Sequence, residues 1–290
     1  MFKSGTQLGS CFVLSPIGRG KPDGLFEIED KSRNVFAMRA PIGDLNDEDE
    51  GTGRSVSQRF LPDVQSLSKL RHLNLVPMFE PIVEKGYVCL VYERVRGRTL
   101  AEALSLDRFP PPVALMITRQ ILEGCAAAHA QGRIHRNLSP RKILLQPMEG
   151  WDLVKVADMG LGTLRDEAVL EYGAGALTGS VRVPLATYMA PEQVRERSVD
   201  ARTDFYAIGC MLFEMLAGRP PFPDRDLEHV KMQQLSFPPP KLTEICSGEG
   251  WVSSAIQHLV DTSLKKEREE RFSSTAEMIA ATDAAFKSIT

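Results

Sequence analysis

The stretch Ile134-His135-Arg136-Asn137-Leu138-Ser139-Pro140-Arg141-Lys142-Ile143-Leu144-Leu145 gathers cationic, amide and hydroxyl side chains just ahead of an apolar run. Upstream of it, Val113 to His129 is Ala-rich and apolar on more than one face, which predicts a helix near the centre of a helical lobe. Downstream, Phe205 to Leu216 predicts a second strongly apolar helix, stopped by Gly218 and Pro220. Trp251 to Leu264 and Ser274 to Phe286 are amphipathic helix candidates, with loops at Pro238 to Pro240 and Gly248 to Gly250.

Before Gly97 the pattern is different. Cys11 to Ile17, Leu25 to Glu29, Asn34 to Ala40, Val76 to Phe79 and Tyr87 to Tyr92 read as short strands separated by turn residues. Five of the seven residues from Asp44 to Glu50 are acidic, which predicts a solvated, mobile loop. Phe60, Val64, Leu67 and Leu70 fall near helical spacing, so one helix interrupts the strands. Pro62 costs about 3 kcal/mol in a helix interior but is tolerated in a first turn, so the helix is expected to start near Leu61. A β-rich lobe (residues 1–95) followed by an α-rich lobe (residues 96–290) makes the expected class α+β, with the two lobes sharing a cleft.

A chain of 290 residues is comfortable for two such lobes, and 43% hydrophobic with 25% charged residues is an ordinary globular composition. The net charge of -3 argues against nucleic acid or anionic membrane as a partner. Five scattered cysteines, with no C-x-x-C pair and no clustering with His, indicate buried free thiols rather than a zinc site or disulfide framework. No apolar run is long enough to span a membrane and no signal-peptide pattern opens the chain, so a cytoplasmic location is expected.

Several short motifs fall in a telling order. They are a Gly-rich turn (Gly18, Gly20, Gly24), Ala37-Met38-Arg39, His135-Arg136-Asn137-Leu138, Asp158-Met159-Gly160, Ala190-Pro191-Glu192, and Asp204 entering an apolar helix that ends Gly-Arg-Pro-Pro-Phe. Taken in that order the chain resembles a bacterial-type Ser/Thr protein kinase domain over nearly its full length. The resemblance implies that Asp204 braces the backbone of the loop around His135, and that Glu192 pairs with Arg271. It also implies a nucleotide cleft lined by Gly18, Gly20, Gly24, Phe26, Ala37, Arg39, Asp63, Glu93, Val95, Leu144 and Asp158.

The same comparison exposes departures. In the family pattern H-R-D-L-x-x-x-N the Asp accepts the substrate hydroxyl proton and the Asn holds magnesium. Here those positions are Asn137 and Lys142, and the phosphate-contacting Lys between them is Ser139. An amide such as Asn137 hydrogen-bonds but is no carboxylate base. The Gly-rich turn is one residue too long and carries Pro22, which has no N–H to offer a phosphate, and Asp23, which would repel one. Aligning Gly24 with the third family glycine puts Phe26 at the apolar position that covers the base, with Ala37 and Leu144 as the other apolar walls.

The strand Lys is Arg39, and its helix Glu is Asp63, which is read either as a first-turn carboxylate or as a surviving partner of Arg39. Asp158 remains as a metal-type carboxylate, and Lys142 is either exposed or sits on Asp158 in place of magnesium. Met159 to Glu192 matches the activation segment, with Gly173, Gly175 and Gly179 favouring mobility. Leu185 stands in for the family's loop-organising Thr, while Thr163, Thr178, Ser180 and Thr187 are candidate phosphoacceptors. These losses together point to a pseudokinase: a regulatory or scaffolding signalling module, with an active Ser/Thr kinase or another signalling protein as its partner and no cofactor required. The alternatives are a weakly active Ser/Thr kinase and an ATP-binding switch that does not transfer phosphate, for which ATP and magnesium would be the ligands.

Overall fold

In a computed structural model of the chain, the described residues are 3–17, 25–39, 56–84, 87–161, 186–246 and 250–290. They separate into two compact units, Met1–His72 with Val76–Arg96, and Leu73–Leu75 with Gly97–Thr290. Strands dominate the first unit and helices the second, which is the α+β class expected. Gly18 to Gly24 with Pro22 and Asp23, the acidic run at Asp44 to Glu50, Gly248, and the activation-segment positions Thr163, Gly173, Gly175, Thr178, Gly179, Ser180 and Leu185 all lie outside the described residues.

The first unit is a six-stranded antiparallel sheet in the order β1-β2-β3-β4-β6-β5. Its strands are β1 (Gln7–Leu8), β2 (Cys11–Pro16), β3 (Leu25–Asp30), β4 (Val35–Arg39), β5 (Ile82–Glu84) and β6 (Tyr87–Glu93). Period-two alternation sends Val13, Phe26, Ile28, Met38, Cys89 and Val91 into one buried cluster. The expected strand at Val76 to Phe79 is only a single bridge from Met78 to Tyr92. Pro77 supplies no N–H there, so its carbonyl accepts from Glu93 (2.9 Å) while a regular ladder cannot form.

The helix of this unit corrects the sequence expectation. Helix α1 (Val56–Leu67) runs through Pro62 instead of starting near it. Val64 and Leu67 are buried at 1% and 4% exposure, and burying that apolar stripe outweighs the local propensity cost of one proline. Asp63 therefore lies mid-helix and exposed, not in a first turn beside the positive end of the helix dipole.

The second unit opens with β7 (Arg98–Thr99) and α2 (Leu100–Leu104), joined by a capping box in which Thr99 Oγ1 accepts from Glu102 N (3.1 Å) and Glu102 accepts from Thr99 N (2.7 Å). Helix α3 (Pro111–His129) follows, and then a three-stranded sheet of β7, β8 (Ile143–Pro147) and β9 (Asp152–Val156). Asn74 is stitched beneath α3, its Nδ2 donating to Val154 O (2.9 Å) and its carbonyl accepting from Val156 N (2.9 Å). Gly124 of α3 permits that approach, since a Cβ there would lie 2.7 Å from Asn74 O. Among the described residues the remaining α-helices are α4 (Pro191–Val194), α5 (Ala201–Ala217), α6 (Leu227–Ser236), α7 (Leu242–Ile245), α8 (Ser254–Ser263) and α9 (Thr275–Lys287). α5 is the hydrophobic centre: Phe205, Tyr206, Phe213 and Leu216 are fully buried, and Gly218 ends it in a left-handed turn (φ 73°).

Candidate functional site

The chemistry-bearing residues of the second unit converge on the loop from His135 to Lys142. Asp204, in the first turn of α5, is 1% exposed and organises it. Its Oδ2 accepts from His135 N (2.9 Å) and contacts His129 Nε2 (2.8 Å), and its Oδ1 accepts from Arg136 N (2.9 Å). A buried carboxylate with such partners fixes the backbone that feeds it, and Arg136 is held at φ 62°, a left-handed conformation that an Arg seldom adopts. Arg136 O in turn accepts from Gln193 Nε2 (2.6 Å), tying the loop to α4.

His135 closes the loop from inside. Its Nε2 lies 2.9 Å from Ala157 O, and its Nδ1 accepts the Asn137 N–H (3.3 Å), so the ring is the neutral Nε2–H tautomer. Burial lowers its pKa, a fall that the nearby Asp204 charge does not reverse. Asn137 is half-buried, and Ser139 is buried at 4% exposure as it leads into a short 3-10 turn, Pro140–Lys142.

That turn aims Lys142 at Asp158. The Lys142 ammonium donates to Asp158 Oδ2, with the two side chains 12% and 8% exposed. Two backbone features set the geometry: Ala157 N donates to Lys142 O (2.8 Å), and Asp158 is left-handed at φ 60°. In such shelter an ion pair is screened weakly, so the two charges compensate one another. The donor set fits a magnesium ion poorly. One carboxylate is engaged by a fixed cation, and the second family ligand is that cation itself.

In the first unit, strand register corrects the placement of Phe26. It pairs with Met38 and lies in the buried cluster, whereas Glu27 pairs with Ala37. Because residues paired across strands point to the same face, Phe26 lies on the opposite face from Ala37 and Arg39, and Glu27 shares theirs. The extra residue in the Gly-rich turn displaced the motif alignment by one position, and a one-residue slip exchanges the two faces. Motif matching did not put Glu27 on the face of Ala37; counting alternate residues across the β3–β4 pair would have done so. Glu27 Oε1 accepts from Arg94 Nε (2.7 Å), and Arg94 also donates to Val95 O (2.6 Å). Ala37 and Val95 are buried, while Arg39 and Glu93 are half-buried. In the second unit Leu144 is half-buried between Ile143 and Leu145, which are fully buried, and Thr187 is buried.

The brace below the loop is a buried ion pair. Arg271 grips Glu192 bidentately at 2.8 Å and 2.8 Å, and Thr203 Oγ1 adds a third bond to Glu192 (2.8 Å). Burial alone would raise the Glu192 carboxyl, but the Arg271 hydrogen bonds and charge outweigh it and hold the pKa below 4.5.

The sequence model of the protein kinase domain matches residues 13–283. Among curated proteins, the chain is 31% identical over 220 residues to serine/threonine-protein kinase Pkn1 of Myxococcus xanthus, covering 76% of this chain and 30% of Pkn1. It is 31% identical over 229 residues to the probable serine/threonine-protein kinase PknB of Corynebacterium glutamicum, covering 77% of this chain and 34% of that protein. It is 29% identical over 282 residues to serine/threonine-protein kinase PrkC of Bacillus subtilis, covering 96% and 41% respectively. The chain thus spans about a third of the length of Pkn1 and PknB. Among solved structures, the Mycobacterium tuberculosis PknI kinase domain superposes with a TM-score of 0.73 at 19% identity, covering 98% of this chain and all of that one, a likeness of fold.

Proposed function

We propose a regulatory, non-catalytic role for this chain, which belongs to the protein kinase domain family and within it to the bacterial Ser/Thr type. In this reading it is a pseudokinase, cytoplasmic, that acts by binding a signalling protein such as an active Ser/Thr kinase. The observation that carries the reading is the Lys142 ammonium on the Asp158 carboxylate. Phosphoryl transfer is mostly positioning and charge stabilisation, so one missing group can leave residual turnover. Here the deficits fall together: an amide at the base position (Asn137), a hydroxyl at a cation position (Ser139), and a cation at a metal-ligand position (Lys142). Glu27 adds a carboxylate on the strand face that carries Ala37 and Arg39. Meanwhile Asp204, Glu192 and Arg271, which hold the loop and its surroundings, keep their bonds. What survives is the frame that a binding module needs.

Thermal melting with ATP, with and without magnesium or manganese, tests the reading beside incorporation of labelled phosphate into a generic protein substrate. The expected result is no incorporation and no metal-dependent rise in melting temperature. Incorporation that disappears in Asp158→Ala would overturn the proposal. Stabilisation by ATP without incorporation would move the reading to a nucleotide-binding switch, which the retained Ala37 and Leu144 favour over the weak-kinase alternative.

A further inference from the structure

Away from that loop, the second unit contains a cavity of about 110 Å³ between the turn that follows α4 and the turn that precedes Arg271. Lys266, Arg195, Arg197 and Arg268 bring four cations to its wall. Three carboxylates line it too, but Glu192 is already matched by Arg271 from outside the cavity. Glu267 meets Arg195 at a long 3.5 Å, and Glu269 is taken up by Arg268 (2.9 Å). Two cations are left over. Arg197 is exposed, and among the described residues no carboxylate pairs with it or with Lys266.

Lys266 is the informative one. Its Nζ lies 4.1 Å from the centre of the Phe222 ring and donates to Tyr206 Oη and Gln233 O, both at 3.2 Å. Neutral oxygens and aromatic faces offset only part of the cost of removing an ammonium from water. Burial accordingly pushes its pKa down to about 8. The two oxygens and the ring that meet the ammonium are all uncharged. Ser198 lies in the same wall and is exposed; Arg268 Nη1 donates to its carbonyl (2.7 Å) and sits 3.5 Å from its Oγ. Ser198 follows Arg195-Glu196-Arg197 in the chain, and all three of Arg195, Arg197 and Arg268 line the same wall.

We propose that this cavity is a receptor for one phosphoryl group, carried either by Ser198 after modification or by free phosphate. The volume suits a single tetrahedral oxyanion and is too small for a nucleotide. Guanidinium forks and an ammonium are the donors that such an anion pairs with through charge-assisted hydrogen bonds. For the Ser198 source, a separate ATP-dependent protein kinase transfers the γ-phosphoryl to Oγ. The Oγ–P bond forms as the bond to ADP breaks, and the hydroxyl proton passes to that kinase's base. The site is independent of whether this chain itself transfers phosphate.

Two measurements on the whole chain test it. Inorganic phosphate is titrated against melting temperature at ionic strength matched with sodium chloride. Separately, protein carrying phosphoserine at 198 is titrated by phosphorus NMR, where a free phosphoserine has a second pKa of about 6. A saturable rise of about 3 °C with phosphate, absent in Lys266→Met, supports the site with free phosphate as its source. A second pKa lowered by about one unit, returning towards 6 in Lys266→Met, supports the site with Ser198 as its source. Arg197→Gln, at an exposed position, weakens either effect if Lys266→Met proves poorly folded. Wild type showing neither effect, or effects that both variants retain in full, overturns the proposal.

Discussion

Lys142 and Asp158 are each other's counter-ion in a sheltered place, so removing one leaves the other costly. Lys142→Met is expected to lower stability by about 3 kcal/mol, measured by urea unfolding, because the carboxylate of Asp158 stays behind without its cation. Lys142→Met with Asp158→Leu should recover most of that loss, since neither charge then remains to be desolvated. A variant pair that behaved additively would show that the two side chains are not coupled. The departures at Asn137, Ser139 and Lys142 were legible in the sequence because motif order gives each side chain an address. The bond between Lys142 and Asp158 was not, since they are 16 positions apart and an exposed Lys would have the same sequence. Glu27 was harder still: one extra residue in the Gly-rich turn hid which face of β3 it occupies.

At the scale of elements, periodicity accounts for part of the fold, while β5, β7, β8, β9, α2, α4, α6 and α7 carried no sequence expectation. The strands β2, β3, β4 and β6 and the helices α3, α5, α8 and α9 lie within a few residues of where alternation and helical spacing put them. Helix α1 does not, and the reason is energetic. Its proline is a local penalty, whereas Val64 and Leu67 gain from tertiary burial that local propensity cannot register. Pro62 itself is exposed. Pro62→Ala should therefore raise stability by about 1–3 kcal/mol, read as an increase in the urea midpoint with the slope unchanged. A fall would mean that the proline stabilises the helix where it stands. The short β1 escaped sequence reading because two residues carry no periodic signal.

For the whole molecule, the Glu192–Arg271 pair links folding to pH. The folded Glu192 carboxyl titrates below its ordinary value of 4.5, so its contribution is complete above that value and is lost as pH falls through the folded pKa. The stability gap between wild type and Glu192→Gln should be widest near neutrality and narrow on acidification below pH 4.5. Melting curves across that range check the sign, and a gap that widened on acidification would contradict it. Among the described residues no helix is long and apolar enough to cross a membrane.

The five cysteines are all buried free thiols, with Cys11 and Cys89 in the first unit and Cys125, Cys210 and Cys246 in the second. Burial pushes Cys89 up to about 11 and Cys210 up to about 12, which suppresses thiolate at any physiological pH. Alkylating reagents therefore have no ready target in the closed protein, and each labelling event timestamps an opening of the unit that holds the thiol. The chain carries a built-in set of clocks, two on the strand-rich side and three on the helical side, by which the breathing of each half can be timed separately without adding a probe.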